Sequence, residues 1–222
     1  MDAETPNTDE PEVEEPKAGQ LNLPQAFLLL ATDDKDGEPE LPAYILRTTV
    51  AGAILAELDV LGAVGLQGKR VRATGPAPQT DFQHQLELIR HKSRPHTPKR
   101  WVSMLEGRAE VQRVYEGMAS LGIVDHVGEK HLGLFKSVRY PEKDHAPEAA
   151  IRHKIKAALE GKPSDARTTA LIALLQAAGL LGKLFPAADL TRARELARDY
   201  WPSRAVVDEL RMIRLAEAEA VT

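Results

Sequence analysis

Apolar residues recur along this chain mainly at helical spacing, three and four positions apart. The pattern predicts a short buried helix over residues 21–31, with Pro24 in its first turn, and a second helix from Thr48 or Thr49 to about Leu61. The same spacing predicts further helices at residues 81–90, 101–105, 108–121, 147–160, 168–181, 190–200 and 203–218. The fold class is therefore predicted to be mainly α, with the nearly all-apolar helix from Thr168 at its centre and Gly182 as a C-cap.

Two short segments are predicted to form β-hairpins. The first pairs Val64–Gln67 with residues 70–74 around a turn at Gly68 and Lys69. The second pairs residues 123–126 with 132–138 around a turn near Gly128 and Glu129. Each follows a helix that ends in Leu-Gly, and this repeated outline is typical of a winged-helix unit. A nucleic-acid-binding regulator is therefore an alternative, although its candidate recognition helices are not net basic.

Composition limits the class of protein. The 222 residues are enough for one domain or two, and because aromatics are only 5%, aliphatic side chains must fill the core. The absence of cysteine excludes disulfides and thiolate chemistry. No apolar run reaches the roughly 18 residues that span a bilayer, and the acidic N-terminus lacks an export signal. We expect a cytoplasmic protein that meets membranes peripherally.

Residues 1–20 are predicted to be an acidic, disordered tail ahead of a folded domain at residues 21–222. The first 17 residues hold seven acidic side chains, three prolines and a single lysine. Such a segment buries too little apolar surface to fold. It either keeps the protein soluble or competes for the protein's own basic surface.

No catalytic motif is present, so we expect no enzyme activity, catalytic residue, cofactor or metal. The glycine spacing of residues 62–69 does not fit a phosphate-binding loop, and Arg70 stands where Ser or Thr is needed. His84, His91 and His96 are spaced by seven and five residues, unlike a helical ligand pair, and are best explained as surface histidines.

A basic run is the most informative polar feature. Residues 90–100 contain five Lys or Arg, two His and no acid. They form either a solvated loop or an anion-binding surface for phosphate or lipid headgroups. We call its cations the basic surface: Arg90, Lys92, Arg94, Lys99 and Arg100. The second hairpin has an apolar tip at Leu132, Leu134 and Phe135, which either packs on the core or inserts into lipid.

Six segments, in this order, resemble the Golgi phosphoprotein 3 family in its shorter bacterial form. They are LNLPQAFLLLATDDKDG (21–37), AGAILAELDVLGAVGL (51–66), GPAPQTD (75–81), RPHTPKRWVSML (94–105), LGIVDHVGEKHLGLFKSVRYP (121–141) and RTTALIALLQAAGLL (167–181). The resemblance implies a compact domain with a central buried helix bundle ringed by amphipathic helices and short hairpins. Eukaryotic members bind phosphatidylinositol 4-phosphate and hold glycosyltransferases by their cytoplasmic tails.

The resemblance also implies a lipid headgroup site. In the family it uses a tryptophan before the second helix, an arginine at that helix's start and two arginines on the helix preceding the apolar hairpin. The corresponding positions here are Pro42, Ala51, Arg108 and Val111. Arg108 alone matches, and Tyr44, Arg47 and Arg113 are candidate replacements. We expect a peripheral protein that binds anionic membrane lipid, phosphoinositides included, through these residues and inserts Leu132, Leu134 and Phe135. A protein–protein adaptor without lipid binding is a further alternative.

Overall fold

The computed structural model describes residue 19 and residues 21–76, 78–131 and 134–220; for residues 129–131 and 134–137 it describes the backbone alone. The expected disordered tail lies outside the described residues, apart from residue 19. The described residues form ten helices and two short antiparallel hairpins, which confirms the mainly α prediction. The elements are α1 (Leu23–Leu30), α2 (Ala43–Val60), β1 (Val64–Gln67), β2 (Arg70–Ala73), α3 (Gln83–Arg90), α4 (Pro98–Leu105), α5 (Arg108–Ser120), β3 (Val127–His131), β4 (Leu134–Arg139), α6 (Ala146–Leu159), α7 (Ala166–Ala178), α8 (Leu181–Leu184), α9 (Leu190–Ala197) and α10 (Trp201–Ala220).

Local sequence signals account for several helix ends. Asn22 and Gln25 form a capping box at α1, each side chain accepting a hydrogen bond from the other's backbone N–H, at 2.9 and 3.0 Å. Asp165 caps α7 by accepting from the Thr168 N–H at 2.7 Å. The predicted C-cap at Gly182 is wrong. Gly179 ends α7 in the left-handed conformation, with φ of 76°, which glycine adopts without steric cost.

Helix α2 begins earlier than the sequence pattern predicted. It starts at Ala43 instead of at Thr48 or Thr49, and both threonines are buried inside it. The Thr48 hydroxyl donates a hydrogen bond to Glu106 Oε2 at 2.8 Å, so it serves tertiary packing instead of capping. Tyr44 and Arg47 therefore belong to the first turns of α2.

The core is centred on α2 and α7. Helix α2 packs against α1, α4, α5, α7 and α10, and α7 packs against α1, α6, α9 and α10 as well. The predicted central position of the Thr168 helix is confirmed, and α2 shares it. None of the helices in the described ranges combines the length and apolarity needed to cross a bilayer.

The two hairpins form separate two-stranded sheets. The first has the predicted register, with Val64 opposite Ala73. The second does not, because Gly128 and Glu129 lie within β3 and the strands connect between His131 and Leu134. Ile123 and Val124, predicted to be strand residues, are instead buried in the core ahead of the hairpin. A short apolar run alone does not distinguish these two roles.

Candidate functional site

Helix α4 and the loop before it contact segments at both ends of α2. Glu106, at the C-terminal end of α4, accepts the hydrogen bond from Thr48 near the start of α2. At the other end, the loop before α4 contacts the hairpin that follows α2. There, the Val71 N–H donates to the His96 carbonyl at 2.9 Å and Arg70 Nη1 donates to the Pro95 carbonyl at 2.7 Å. The eighteen residues of α2 separate these ends by about 27 Å.

Three of the predicted headgroup residues lie at or near the N-terminal end of α2. Tyr44 and Arg47 are partly buried on the first turns of α2, and Arg108 is the exposed first residue of α5. Within the described residues neither arginine has an ion-pair partner. No side chain caps α2 at Pro42 or α5 at Gly107. The free N–H groups of these helix starts add positive potential to that of the two arginines, which favours an anion.

Arg113, the fourth predicted headgroup residue, lies apart from Arg108. The two are five residues apart on α5, about 140° around the helix. Arg113 Nη1 donates to both oxygens of Glu110, at 3.1 and 3.0 Å, and Glu110 also accepts from Gln85 at 2.8 Å. Arg113 therefore lines a different cleft, beside α1, with its charge matched by Glu110.

The basic surface lies at the other end of α2. Arg90 ends α3, Lys92 and Arg94 lie in the following loop, and Lys99 and Arg100 are in the first turn of α4. All are exposed except Lys99, which is partly buried. The structure adds three exposed cations from the first hairpin, Lys69, Arg70 and Arg72. We call the eight together the extended basic surface.

The charges of the extended basic surface converge on His96. The pKa of His96 is lowered, first by desolvation and then by the positive charges of Lys92, Arg100 and Arg70, which come from three different segments. The His96 ring lies 5.5 Å from that of buried Trp101, which holds this loop against the core. None of the eight cations pairs with an acid in the part of the chain that the structure describes. Among the described residues the patch therefore carries excess positive charge, with Glu209 in the same cleft as Lys99 and Arg100.

The second hairpin is anchored near the start of α2. At its base, Arg139 Nη2 lies 3.0 Å from Glu38 Oε1, in the loop that leads into α2. Tyr140 stacks on Tyr115 and His126, with ring centroids 4.3 and 5.3 Å apart. Of the predicted insertion residues, Leu132 and the side chains of Leu134 and Phe135 lie outside the described residues. Their insertion stays a prediction.

The geometry weighs against the nucleic-acid alternative. Most of α2 is buried, and α5 buries Val111, Val114, Tyr115 and Met118. Helix α2 is therefore not free to enter a groove lined with phosphates. Helix α5 has an exposed face, but that face carries Glu116 as well as Arg108 and Arg113, so it is not strongly basic. The protein–protein adaptor stays an alternative prediction.

One polar cluster was missed by the sequence reasoning. Asp34, Glu142 and His145 each bring a potential metal-ligand atom within 4.8 Å of the others. The spacing of three residues between Glu142 and His145 could have indicated a pair of metal ligands. Asp34 is more than a hundred residues away in sequence, so its place in the cluster could not be predicted. The three histidines of residues 84–96 do not converge: His91 pairs with Glu87 at 2.9 Å, and His96 faces Trp101.

Comparison with known proteins identifies the family of this chain. A search of curated proteins finds no match. The family model described as Golgi phosphoprotein 3 (GPP34) matches residues 23–213, which includes α2, α4, α5 and both hairpins. The chain therefore belongs to the Golgi phosphoprotein 3 family.

Proposed function

We propose that this protein docks peripherally on membranes rich in anionic lipid and has no catalytic role. The observation that carries the proposal is the extended basic surface, in which eight cations from three segments face solvent without an acidic partner among the described residues. Family membership supports a Golgi phosphoprotein 3-like role.

The magnitude of the attraction fits reversible docking. Each Lys or Arg near an anionic bilayer contributes ~1 kcal/mol. Several such contacts must offset the loss of rotational and translational freedom on binding. Exposed charges are screened beyond about 8 Å at physiological salt, so the binding is sensitive to ionic strength.

The start of α2 is proposed to hold one lipid headgroup. Arg47 and Arg108 supply the positive charge, the two uncapped helix starts supply N–H donors, and Tyr44 forms a partly buried wall. Phosphatidylinositol 4-phosphate is the headgroup that the family resemblance implies. Because three of the four family positions are replaced, we expect weak discrimination among phosphoinositides.

Helix α4 links this headgroup site to the extended basic surface. Arg100 and Met104 are exposed one turn apart on α4, and Arg108 follows at the start of α5. Met104 is 41% exposed and supplies one apolar side chain to this face. In the proposed orientation this row lies along the membrane, so that both ends of α2 reach headgroups.

Co-sedimentation with vesicles tests the proposal. Wild-type protein is expected to bind phosphatidylserine-rich vesicles better than neutral ones, and less at higher salt. Changing Lys92, Arg94, Lys99 and Arg100 to Gln should remove most of the salt dependence. Arg47→Gln with Arg108→Gln should weaken binding, whereas a matched pair at the C-terminal end of α9, Arg194→Gln with Arg198→Gln, should not. Equal binding to neutral and anionic vesicles contradicts the proposal. Binding to duplex DNA that is stronger than binding to anionic vesicles favours the nucleic-acid alternative.

The insertion of the second hairpin needs its own variant. Leu134→Ser with Phe135→Ser should reduce vesicle binding while leaving its salt dependence intact, because the cations still bring the protein to the surface. Thermal unfolding is the control. Truncating two core side chains costs roughly 2–5 kcal/mol each, so a large fall in melting temperature would assign them to the core.

A further inference from the structure

Three separate segments meet at the base of the second hairpin. Asp34 lies in the loop between α1 and α2, Glu142 follows β4, and His145 immediately precedes α6. The Glu142 N–H donates to the Asp34 carbonyl at 2.9 Å, which fixes the first two segments together. A further bridge joins Glu142 to Val124 in the core. The backbone therefore holds these three side chains close together.

Glu142 is unusual within this cluster. Its side chain is only 3% exposed. One carboxylate oxygen, Oε2, contacts His145 Nδ1, but the other, Oε1, is buried and has no hydrogen-bond partner in the described structure. Burying an unpaired carboxylate oxygen is costly, so such atoms call for an explanation such as an unobserved ion.

The surroundings carry excess negative charge. Glu148, one turn into α6, is buried, and its Oε1 contacts Arg152 while its Oε2 is likewise without a partner. The pKa of Glu142 is raised, chiefly by burial, with Asp34 and Asp144 raising it further. The pKa of His145 is raised by its contact with Glu142. A cation at this position would relieve the repulsion among these carboxylates.

We propose that Asp34, Glu142 and His145 form a binding site for one divalent transition-metal ion of the zinc class. The donor set is one imidazole nitrogen and two carboxylate oxygens, which suits Zn²⁺ better than Mg²⁺ or Ca²⁺, since these prefer oxygen alone. Two carboxylates balance the charge of the ion. Three ligands with a water in the fourth position would complete a tetrahedron.

The distances fit with small side-chain movements. Tetrahedral Zn²⁺ with bonds of about 2.0–2.2 Å places its ligand atoms about 3.4 Å apart. The ligand atoms here lie within 4.8 Å of one another. Exposed Asp34 can rotate inward, and exposed His145, whose Nδ1 already contacts Glu142 Oε2, can move outward to make room for the ion, while buried Glu142 stays fixed. Binding would replace the proton between His145 Nδ1 and Glu142 Oε2 and release it to solvent.

The bound ion would have a structural effect. It would connect the loop that leads into α2, the strand that ends the second hairpin, and the start of α6. The loop and the hairpin already meet through the Arg139–Glu38 ion pair and through the hydrogen bond from the Tyr140 N–H to the Gly37 carbonyl at 3.0 Å. The site stands independently of membrane docking, because it uses none of the residues assigned to lipid.

Isothermal titration of chelator-treated full-length protein with Zn²⁺ at pH 8 tests the site, with Co²⁺ as a spectroscopic probe of coordination. Wild-type protein should bind one equivalent, and its melting temperature should rise with the ion. His145→Gln and Asp34→Asn, both at exposed positions that tolerate substitution, should each weaken binding at least tenfold.

Two matched controls separate this site from ordinary surface histidines. His91→Gln removes another exposed His–Glu pair, and Asp36→Asn removes a neighbouring carboxylate of the same loop. Both should bind Zn²⁺ as the wild type does. Absence of a one-to-one site, or equal binding by the His145 and Asp34 variants, would overturn the proposal, and tighter binding of Ca²⁺ or Mg²⁺ would overturn the assigned class of ion.

Discussion

Glu57 is a buried charged residue that joins three helices of the core. Its side chain, 4% exposed, lies between three helices. One oxygen accepts from the Leu23 N–H at 2.8 Å and from Arg167 Nη1 at 2.9 Å, and the other contacts Arg167 Nη2. Glu57 therefore satisfies an N–H at the start of α1 and forms a bidentate pair with α7. Replacing it by Ala leaves the Leu23 N–H and the Arg167 guanidinium without their partners.

The expected cost is large. Removing one partner of a buried ion pair destabilises a protein by about 3–5 kcal/mol. Because the Arg167 side chain is 41% exposed and can turn toward water, we expect the lower half of that range, about 3–4 kcal/mol. For a chain of this size, 1 kcal/mol shifts the melting temperature by roughly 2–4 °C. The predicted fall is thus roughly 6–16 °C.

Urea and thermal unfolding followed by circular dichroism measure this cost. Glu160→Ala is the matched control, since Glu160 forms an exposed i,i+4 pair with Lys156 at 3.9 Å. Such surface pairs contribute about 0–1 kcal/mol. The double variant Glu57→Gln with Arg167→Met should recover part of the loss, because no charge is left buried without a partner. A loss below about 1 kcal/mol for Glu57→Ala would refute the reasoning.

Three further predictions concern charge. Burial raises the pKa of Glu148 to about 7, against an ordinary 4.5, so the folded state holds a proton that the unfolded state releases between these values. The free energy of unfolding should therefore fall as pH rises from about 4.5 to 7. The variant Glu148→Gln, measured in chelator-containing buffer, should show a weaker dependence on pH. Parallel pH profiles for the wild type and the variant would contradict this prediction. Deleting residues 2–17 removes seven acidic side chains and one lysine. If the tail competes for the basic surface, the deletion should strengthen co-sedimentation with anionic vesicles. Unchanged binding would favour the other interpretation, in which the tail keeps the protein soluble. Vesicles containing single phosphoinositide monophosphates should bind within tenfold of one another, and a larger preference for the 4-phosphate would mean that Arg108 has effective partners in place of the missing family residues.

Much of the fold was predictable from local pattern. The helical spacing of apolar residues located nearly all the helices, and Asn22, Asp165 and Pro24 mark helix starts by mechanisms that act within one turn. The predicted turn at Gly68 and Lys69 is confirmed, since it too depends on local sequence. The predicted starts of α2 and β3 were wrong, because both depend on packing against segments that are distant in sequence. Thr48 resembles a cap in sequence, yet its hydroxyl bonds Glu106, 58 residues away.

The candidate sites were likewise only partly predictable from the sequence. The sequence by itself determined the basic run of residues 90–100, the acidic tail and the family, since these depend on residue type and order alone. Only the tertiary structure added Lys69, Arg70 and Arg72 to that run, placed Arg113 in a separate cleft, and brought Asp34 to Glu142 and His145. The physical reason is that charge and ligand geometry depend on distances in space, and in this chain those distances are set by the packing of helices around α2 and α7, which joins segments far apart in sequence.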